Sequence, residues 1–398
     1  MDDLYSIETL EYLKHVSIKS RKRYGQYFTN KKIRRLLFDV IPKIDTPVVA
    51  ELSVGTGEFL ESFYEEFNNP QVYAYDIDPV LVNLCKTKFP NLIEIKWLNS
   101  LHLHKPDYFD YVIGNPPYYE LKLSNRERKE YADIIHGRVN IYSLFVKKSI
   151  EVTKPNGYIA LVIPTSINTG KYFSKLRDYI INTCEIEELI TLGDKDFLDA
   201  LQNTQILVLR KKANTGKYIF KKNNVSLFCK NYQNLLSLYT GKVSLKDAGY
   251  DVKTGSIVWN QKAKQLSNND NDTLLIWSHN ISSNGIVLSN KKPQYISNAT
   301  PLREKTIVAK RVTGCGKNAK LTAAIADMSN YVAENHVNVI FNKQNKGYEF
   351  DYILKELNSI DNLSIMQHIV GNTQISASEL LNLFPITKKG DDHAICDG

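Results

Sequence analysis

The chain has 398 residues, which is enough for two or three domains of ordinary size and a substantial hydrophobic core. Hydrophobic residues make up 43% of it and charged residues 24%, which excludes a disordered, collagen-like or disulfide-rich chain. No run approaches the roughly 18 apolar residues of a membrane helix, and the acidic amino terminus is unlike a secretory signal. The five cysteines are odd in number and scattered, so we expect no disulfide framework and no metal site. Together these features predict a cytoplasmic protein with no membrane partner.

The positive charge is concentrated in the second part of the chain. The net charge of +8 results from 51 basic and 43 acidic residues. Residues 1–215 contain 29 Lys/Arg and 28 Asp/Glu, whereas residues 216–398 contain 22 and 15. A nearly neutral module followed by a basic one favours an enzyme core with an attached module that contacts a polyanion. A surface that is charged only for solubility is the alternative.

Short apolar strands alternate with amphipathic helices through the first 215 residues. Residues 1–20 predict a helical lead-in, and Thr29 is placed to cap the helix that follows it over 31–41. Later helices are predicted over 57–67, 79–89, 141–153 and 175–184. Strands are predicted over 47–53, 71–78, 92–99, 108–115, 157–166, 185–192 and 204–212. This alternation predicts an α/β fold with a doubly wound, mostly parallel sheet.

The strand–helix alternation stops near residues 213–218, and we place a domain boundary at about residue 215. Residues 1–215 are therefore predicted to form the α/β domain, and residues 216–388 a second, basic α+β domain. The polar residues 389–398 are predicted to form a flexible tail.

A glycine turn follows the first predicted strand. Gly55 and Gly57 allow the backbone to approach a ligand closely at the carboxyl end of that strand. Leu60 stands where a dinucleotide fingerprint has its third glycine, which argues against NAD, and no phosphate-binding Gly-Lys-Ser/Thr follows. Asp76 ends the next strand, where a carboxylate can accept both hydroxyls of a ribose. The pattern favours S-adenosylmethionine as cofactor; any doubly wound protein with a glycine turn is the alternative.

The most specific motif is DYVIGNPPY, residues 110–118, which ends a predicted strand in Asn-Pro-Pro-Tyr. The Asn115 side-chain oxygen and the Pro116 carbonyl can accept the two hydrogens of one planar amino group, and Tyr118 can stack on the ring that carries it. Two such acceptors localise the lone pair of an aromatic amine towards a methyl donor held in line. The segment therefore predicts methyl transfer to an aromatic amine, with a proline-rich surface turn as the alternative.

These motifs resemble those of the gamma-class N6-adenine DNA methyltransferases, typically the modification enzymes of type II restriction systems. The segment RYGQYFT at 23–29, the turn AELSVGTGEFL at 50–60 and the Asn-Pro-Pro-Tyr site occur in the family's order. The resemblance implies a class I S-adenosylmethionine-dependent methyltransferase fold, a carboxy-terminal target-recognition domain, and methylation of a flipped adenine in double-stranded DNA. It also implies a cognate restriction endonuclease that acts on the same site without a stable complex, in a bacterial cytoplasm or in the host cell of a virus.

The resemblance also assigns site residues. Glu51 would lie near the methionine ammonium of the cofactor, and Ile77 against its adenine. Asn99 stands where the family usually has an Asp that accepts from that adenine's amine, and an amide oxygen can still accept this bond. Phe197 is the candidate for an aromatic that packs against the flipped base, with an ordinary core position as the alternative. The other predicted cofactor residues are Tyr27, Thr29, Ser53, Gly55, Gly57, Asp76 and Pro117.

The densest basic stretch of the second domain is KRVTGCGKNAK, residues 310–320. Its Lys310, Arg311, Lys317 and Lys320 can contact phosphates or base edges of DNA from a loop. A solvated turn is the alternative.

Three other functions stay open from the sequence. Enzymes that methylate glutamine in release factors, and some that act on ribosomal RNA bases, also use Asn-Pro-Pro-Tyr, although the large basic domain after the catalytic one favours DNA. A non-catalytic DNA-binding subunit would not need the intact Asn115 and Tyr118. A fused nuclease would have only the short lead-in ahead of the cofactor segment.

Overall fold

The computed structural model of the chain describes residues 4–193, 203–289, 291–312, 320–367 and 374–389, without the side chains of residues 22–24. Its internal contacts distinguish two units. The first comprises Met1–Phe220 and Ser226–Tyr232, and the second Lys221–Val225 and Gln233–Gly398. No helix in these described ranges is long and apolar enough to cross a bilayer.

A seven-stranded sheet forms the centre of the first unit. The strands of this unit are β1 (Val48–Glu51), β2 (Gln71–Asp76), β3 (Glu94–Trp97), β4 (Phe109–Gly114), β5 (Glu120–Leu121), β6 (Val139–Asn140), β7 (Thr153–Pro164), β8 (Glu185–Thr191) and β9 (Thr204–Arg210). The sheet has the order β3-β2-β1-β4-β7-β9-β8, and β5 pairs with β6 apart from it. Strands β1–β4 and β7 are parallel, whereas β9 is antiparallel to both neighbours. The predicted doubly wound, mostly parallel sheet is confirmed.

Helices cover both faces of this sheet. The helices of the first unit are α1 (Ile7–His15), α2 (Ile18–Tyr24), α3 (Lys31–Phe38), α4 (Glu58–Glu66), α5 (Pro79–Lys88), α6 (Asn125–Glu130), α7 (Ile141–Val152), α8 (Ser166–Thr169) and α9 (Ser174–Thr183), with 3-10 turns at Ser100–His102 and Lys171–Phe173. Helix α5 shows why these sequences start helices: the Asp78 side chain accepts from the Val80 amide at 2.9 Å, and Pro79 occupies the first turn.

The start of α3 corrects one prediction. Asn30, not Thr29, caps this helix, because the Asn30 side chain accepts from the Ile33 amide at 3.0 Å. Both residue types form caps, so two of them in succession leave the helix start ambiguous in the sequence. The Thr29 hydroxyl instead accepts from Asn115, at 3.0 Å.

Strand β4 explains why the central strands are almost wholly apolar. Ile113 packs in one buried cluster with Phe63 of α4, and its neighbour Val112 packs in another with Phe145 of α7. Alternate side chains of a strand point to opposite faces, so both faces of β4 are covered. Burying each such side chain stabilises the sheet by about 1.5–3 kcal/mol, and polar residues are left for the strand ends.

The hairpin of β10 (Ile219–Lys222) and β11 (Val225–Phe228) contains residues of both units. The second unit is built from smaller sheets and short helices. Its strands are β12 (Lys242–Val243), β13 (Tyr250–Thr254), β14 (Leu266–Ser267), β15 (Thr273–Ile276), β16 (Ile281–Ser282), β17 (Gly285–Ile286), β18 (Tyr295–Ile296), β19 (Thr306–Lys310), β20 (Ala323–Ala326), β21 (Tyr331–Ala333), β22 (Val337–Asn342) and β23 (Ile386–Thr387). Its helices are α10 (Tyr232–Leu238), α11 (Phe350–Leu357), α12 (Ile360–Gln367) and α13 (Ala377–Leu383), with 3-10 turns at Ala263–Gln265 and Ser278–Asn280. Two four-stranded sheets, β13-β22-β19-β20 and β14-β18-β15-β21, give it the predicted α+β character.

Candidate active site

Residues at the carboxyl ends of β1, β2 and β4 line one large cavity of the first unit, with a volume of about 1170 Å³. Ten residues predicted from the sequence are among its lining: Tyr27, Thr29, Glu51, Ser53, Gly55, Asp76, Ile77, Asn99, Asn115 and Pro117. Gly57, Pro116 and Tyr118 are described but do not line it. Phe197 lies outside the described residues. The structure thus brings together side chains that are up to 90 positions apart in the sequence.

The turn between β1 and α4 requires a glycine. Gly57 has a φ of 86°, in the left-handed region, and a Cβ on it would lie 2.7 Å from the Phe89 ring. Any other residue would be both strained and obstructed at this position. The same turn directs the Gly55 amide to an Asp76 carboxylate oxygen, at 2.9 Å, and so joins the ends of β1 and β2.

Glu51, the last residue of β1, is a buried acid with an unused acceptor. Its side chain is 2% exposed, and within the described part of the chain its Oε2 has no hydrogen-bond partner. Burial raises the pKa of Glu51 well above its ordinary value; Asp76 raises it further, and Arg34 opposes the shift. A buried carboxylate oxygen without a partner is unfavourable, so this position suits a cationic donor on a ligand.

Asp76 and Asn99 lie after neighbouring strands at the same edge of the sheet. The second Asp76 oxygen accepts from the Asp78 amide at 2.9 Å, and burial raises the pKa of Asp76. The Asn99 oxygen accepts from the Leu101 amide at 3.2 Å and caps a 3-10 turn. Each of these oxygens has a further lone pair, so both residues keep acceptor capacity for a ligand in the cavity.

Two exposed apolar side chains border this acidic edge. Ile77 is 63% exposed and Trp97 is 67% exposed. The Trp97 indole nitrogen donates to the Ile77 carbonyl at 2.8 Å, which fixes the two residues side by side. Apolar surface beside a ribose-type acceptor suits the flat ring of a nucleoside. The family resemblance indicates Ile77 but does not indicate Trp97.

The side-chain amide of Asn115 has a defined orientation. Its Nδ2 donates to the Tyr27 carbonyl at 2.8 Å and to the Thr29 hydroxyl at 3.0 Å. A main-chain carbonyl can only accept, so the Tyr27 contact identifies which end of the amide carries nitrogen. The Ser53 hydroxyl donates to the main-chain carbonyl of Asn115 at 3.2 Å. Both amide hydrogens are therefore used, and Oδ1 is left to accept.

Tyr118 is buried against Asn115. Its hydroxyl is hydrogen-bonded to the Asn115 Oδ1 and lies 2.6 Å from the Val162 carbonyl oxygen. Its ring stacks on Tyr27, with centroids 5.4 Å apart and an interplanar angle of 23°. Burial, reinforced by Tyr142 and Tyr27, raises the pKa of Tyr118 well above its ordinary value, so the phenol keeps its proton. One proton can serve only one of the two acceptors.

The segment before α3 packs directly on the Asn-Pro-Pro-Tyr segment. The Tyr118 amide donates to the Gly25 carbonyl at 3.3 Å. A Cβ on Gly25, whose φ is 62°, would lie 2.6 Å from the Tyr118 nitrogen, so a larger residue would force the two segments apart. With the Asn115–Tyr27 bond, which joins residues 88 positions apart, this approach makes one unit of two motifs that the sequence shows separately.

A buried ion pair that the sequence did not indicate lies behind this site. Arg34 is 1% exposed and is salt-bridged to Glu58, which is 4% exposed. Arg34 also donates to the Thr29 carbonyl at 2.8 Å and to the Ser62 hydroxyl at 2.9 Å. Glu58 accepts from the Thr9 hydroxyl at 2.6 Å. The pair therefore holds α1, α3 and α4 together next to Thr29.

Three of the four predicted DNA contacts are described, all in the second unit. Lys310 ends β19 and is half-buried, whereas Lys320 is exposed. Arg311 donates to the Asn335 carbonyl at 2.8 Å, so part of its guanidinium is used within the unit. Lys317 lies outside the described residues. No group of three or more metal-ligating side chains is found where the structure describes the chain.

Comparison with known proteins identifies relatives of the chain. Residues 86–197, which include the Asn-Pro-Pro-Tyr segment, match the Eco57I restriction-modification methylase family. The chain is similar to the type II methyltransferase M.CvrRI of Paramecium bursaria Chlorella virus XZ-6E, at 25% identity over 63% of this chain and 66% of that protein. It is also similar to the type II methyltransferase M.PstI of Providencia stuartii, at 22% identity over 94% of this chain and 89% of that protein. The resemblance to type II restriction–modification methyltransferases is confirmed.

The similarity covers only part of some of these proteins. The chain spans slightly less than two thirds of the length of M.CvrRI. Among solved structures, a class I S-adenosylmethionine-dependent methyltransferase from Listeria monocytogenes aligns over 46% of this chain and 59% of its own, with a TM-score of 0.40 and 21% identity.

S-adenosylmethionine is the cofactor that the family match supports. The residues of the cavity fit it. Glu51 offers an unused buried oxygen to an ammonium group, Asp76 offers acceptor capacity to ribose hydroxyls, and Ile77 offers apolar surface to an adenine ring.

Proposed function

We propose that this protein is a site-specific DNA adenine-N6 methyltransferase, the modification enzyme of a restriction–modification system. The observation that carries the proposal is the Asn115 amide, whose nitrogen is held by Tyr27 and Thr29 so that its oxygen is left as the acceptor. An acceptor here, followed at once by the Pro116 carbonyl, suits an amino group that has two hydrogens to donate. The exocyclic amine of adenine is such a group.

The protein would activate this amine by hydrogen bonding alone. Asn115 Oδ1 and the Pro116 carbonyl accept its two hydrogens, which withdraws the nitrogen lone pair from conjugation with the ring and localises it on the nitrogen. S-adenosylmethionine supplies an electrophilic methyl group. Because burial raises the pKa of Tyr118, its phenol does not act as the base. The proton displaced from nitrogen would leave through the Asn115–Pro116 acceptors to water.

Tyr118 must change partners when the target base enters. Its hydroxyl occupies the Asn115 oxygen that the amine needs, and Tyr27 covers one face of its ring. The Val162 carbonyl oxygen, 2.6 Å from the same hydroxyl, can accept the hydrogen bond of the phenol instead. We therefore propose that the base displaces Tyr118 from Asn115 towards Val162 and stacks on its ring, with Phe197 packing against the same base.

The substrate would be duplex DNA. The amine of a paired adenine lies inside the stack, so the base must be flipped out, at a cost of a few kcal/mol. The excess of 22 basic over 15 acidic residues in residues 216–398 supports phosphate binding by the second unit. We include Lys310, Arg311, Lys317 and Lys320 in that proposal. A cognate endonuclease would act on the same sequence without binding this protein stably.

The proposal is tested by methyl transfer from labelled S-adenosylmethionine to unmethylated duplex DNA, followed by digestion to nucleosides and mass analysis. Wild type and Asn115→Ala are compared, and cofactor binding by both is measured separately. We expect N6-methyladenine from the wild type, and loss of methylation with retained cofactor binding in the variant.

Other outcomes would redirect or reject the proposal. Label found in RNA or in protein glutamine, and not in DNA, would replace the substrate while keeping the chemistry. Cofactor binding without transfer to any acceptor would favour a non-catalytic DNA-binding subunit.

A further inference from the structure

The second unit contains a lysine held between two tryptophans. The Lys292 ammonium lies 4.6 Å from the Trp259 ring centroid and 4.5 Å from that of Trp277. Trp277 is buried and Trp259 is 40% exposed. The His279 ring stacks on the indole of Trp277, with ring centroids 6.1 Å apart and an interplanar angle of 21°. The Lys292 charge is thereby fixed beside the exposed face of Trp259, and this arrangement suits a ligand that carries both negative charge and flat apolar groups.

Two buried side-chain amides, those of Asn280 and Gln294, fix the backbone next to this lysine by hydrogen bonds. Asn280 is fully buried, and its oxygen accepts from the Trp277 amide at 2.8 Å. Gln294 donates to the Leu275 carbonyl at 2.7 Å and to the Asn280 oxygen at 3.0 Å. Asn280 in turn donates to the Val287 carbonyl at 2.9 Å. These buried amides satisfy one another and so fix the positions of Trp277, Asn280 and Gln294 relative to each other.

Three lysines lie close enough to His279 to lower its pKa. Burial lowers the pKa of His279, and Lys292, Lys291 and Lys310 lower it further, against a smaller opposite effect of Glu334. Lys291 and Lys292 are exposed. Within the described ranges none of the ion pairs found includes any of the three lysines. Their positive charge is therefore available to a partner.

Exposed apolar side chains accompany these charges. Val287 is 59% exposed and Leu288 is 48% exposed, on the same loop as Lys291 and Lys292. The neighbouring Trp259 adds an aromatic face. A solubilising surface would not need exposed apolar groups beside its lysines, whereas a surface that contacts both phosphates and flat apolar rings would.

We propose that Trp259, His279, Lys291, Lys292 and Lys310, here called the basic–aromatic platform, are the surface with which the second unit contacts duplex DNA. The lysines contact phosphates, and Trp259 with Val287 and Leu288 contacts sugars and base edges. This inference rests on the proposed function and adds the residues that bind the substrate. Of these residues, only Lys310 belonged to the stretch indicated by the sequence.

Duplex DNA is the occupant that the platform fits best. It presents regularly spaced negative charge together with the apolar edges of sugars and bases. An acidic protein segment would satisfy the lysines but would leave the exposed Trp259 face without a flat partner. This difference makes an acidic polypeptide the informative comparison.

The test measures duplex binding by fluorescence anisotropy between 50 and 200 mM salt. Lys291→Ala/Lys292→Ala is compared with Lys246→Ala/Lys355→Ala, which removes the same charge from exposed lysines outside the platform. Loss of two phosphate contacts makes the log–log salt slope shallower by about 1.8, so the salt-induced loss of affinity over this range shrinks by roughly tenfold. The control pair should keep the wild-type slope. DNA should change the tryptophan fluorescence of the wild type, and Trp259→Phe should abolish the contribution of Trp259 to that change.

Three results would overturn the inference. An unchanged slope in the Lys291/Lys292 variant, with a wild type that methylates DNA, would refute the platform and leave the proposed function intact. Wild-type binding of polyglutamate as tight as that of DNA, lost equally in the variant, would make the platform a general anion surface. A wild type that neither binds nor methylates duplex DNA would remove both proposals.

Discussion

The Asn115 Nδ2 donates to the Thr29 hydroxyl at 3.0 Å, across 86 positions of the chain. The bond connects the end of β4 to the segment that precedes α3. It leaves the Asn115 oxygen as an acceptor, because the Tyr27 carbonyl takes the second amide hydrogen. The proposed activation of the amine depends on this arrangement, so substitutions of the residues around Asn115 test it.

Thr29→Val should slow methyl transfer by up to about tenfold, because one hydrogen bond that orients Asn115 is lost and such bonds contribute roughly 0.5–1.5 kcal/mol. Thr29→Ser keeps the hydroxyl and should remain close to wild type. Single-turnover rates at saturating cofactor measure the effect, and calorimetry measures cofactor affinity separately. Equal losses in both variants, or a loss explained by cofactor affinity alone, would contradict the positioning role of Thr29.

Tyr118→Phe should bind a flipped base at least as well as wild type, because it removes the hydroxyl that occupies the Asn115 oxygen and keeps the ring. Tyr118→Ala should weaken that binding by roughly 5- to 150-fold, which corresponds to the loss of about 1–3 kcal/mol of base–aromatic stacking. Fluorescence of 2-aminopurine at the target position reports flipping. If the two variants behave alike, the ring of Tyr118 does not stack on the base.

Cofactor affinity should increase with pH through the raised pKa of Glu51. The carboxyl is protonated below that pKa and must ionise to pair with an ammonium group, so binding releases a proton. Calorimetry in two buffers of different ionisation enthalpy measures this release. Glu51→Gln should bind more weakly and without this pH dependence. A wild-type affinity that stays constant over the same range would place the ammonium elsewhere.

The stability of the cofactor-free protein should have the opposite dependence on pH. The folded pKa of Glu51 is above the ordinary 4.5, so the unfolded chain loses this proton first and the folded state becomes less favourable as pH rises between the two values. Glu51→Gln should remove this contribution to the slope. Urea unfolding at several pH values, with and without the substitution, measures it. A slope that survives the substitution would assign it to other groups.

Arg34→Ala should destabilise the first unit by about 3–5 kcal/mol, because it leaves the buried Glu58 carboxylate without its cation. The matched control is Lys31→Ala, which breaks an exposed pair with Glu65 at 2.9 Å and should cost no more than about 1 kcal/mol. Denaturant unfolding compares the two. A similar small effect of both substitutions would show that the buried pair contributes little beyond its own desolvation.

The sequence predicts the sheet, and it indicates ten of the residues that line the cavity, because both depend on local patterns. Apolar runs such as that around Ile113 mark strands, and polar residues that end these runs, such as Asp76 and Asn115, mark one edge of the sheet. The Thr29 cap was assigned wrongly because Thr and Asn are both good caps, and only a long-range contact with Asn115 decides between them.

Contacts between distant segments could not be predicted. The approach of Gly25 to Tyr118 and the stacking of Tyr27 on its ring depend on how two segments meet in space. The same is true of Lys292 between Trp259 and Trp277, since the pattern of charges along the chain indicates how much charge there is but not which aromatic rings surround it.

The most direct test of the central claim is position-resolved methylation of genomic DNA from a bacterial host that lacks adenine methyltransferases of its own. The host expresses either the wild type or Asn115→Ala. We expect N6-methyladenine at one position of every copy of a short sequence with the wild type, and none with the variant. Unmodified adenine in the presence of folded, cofactor-binding wild type, or methylation that persists in Asn115→Ala, would contradict it.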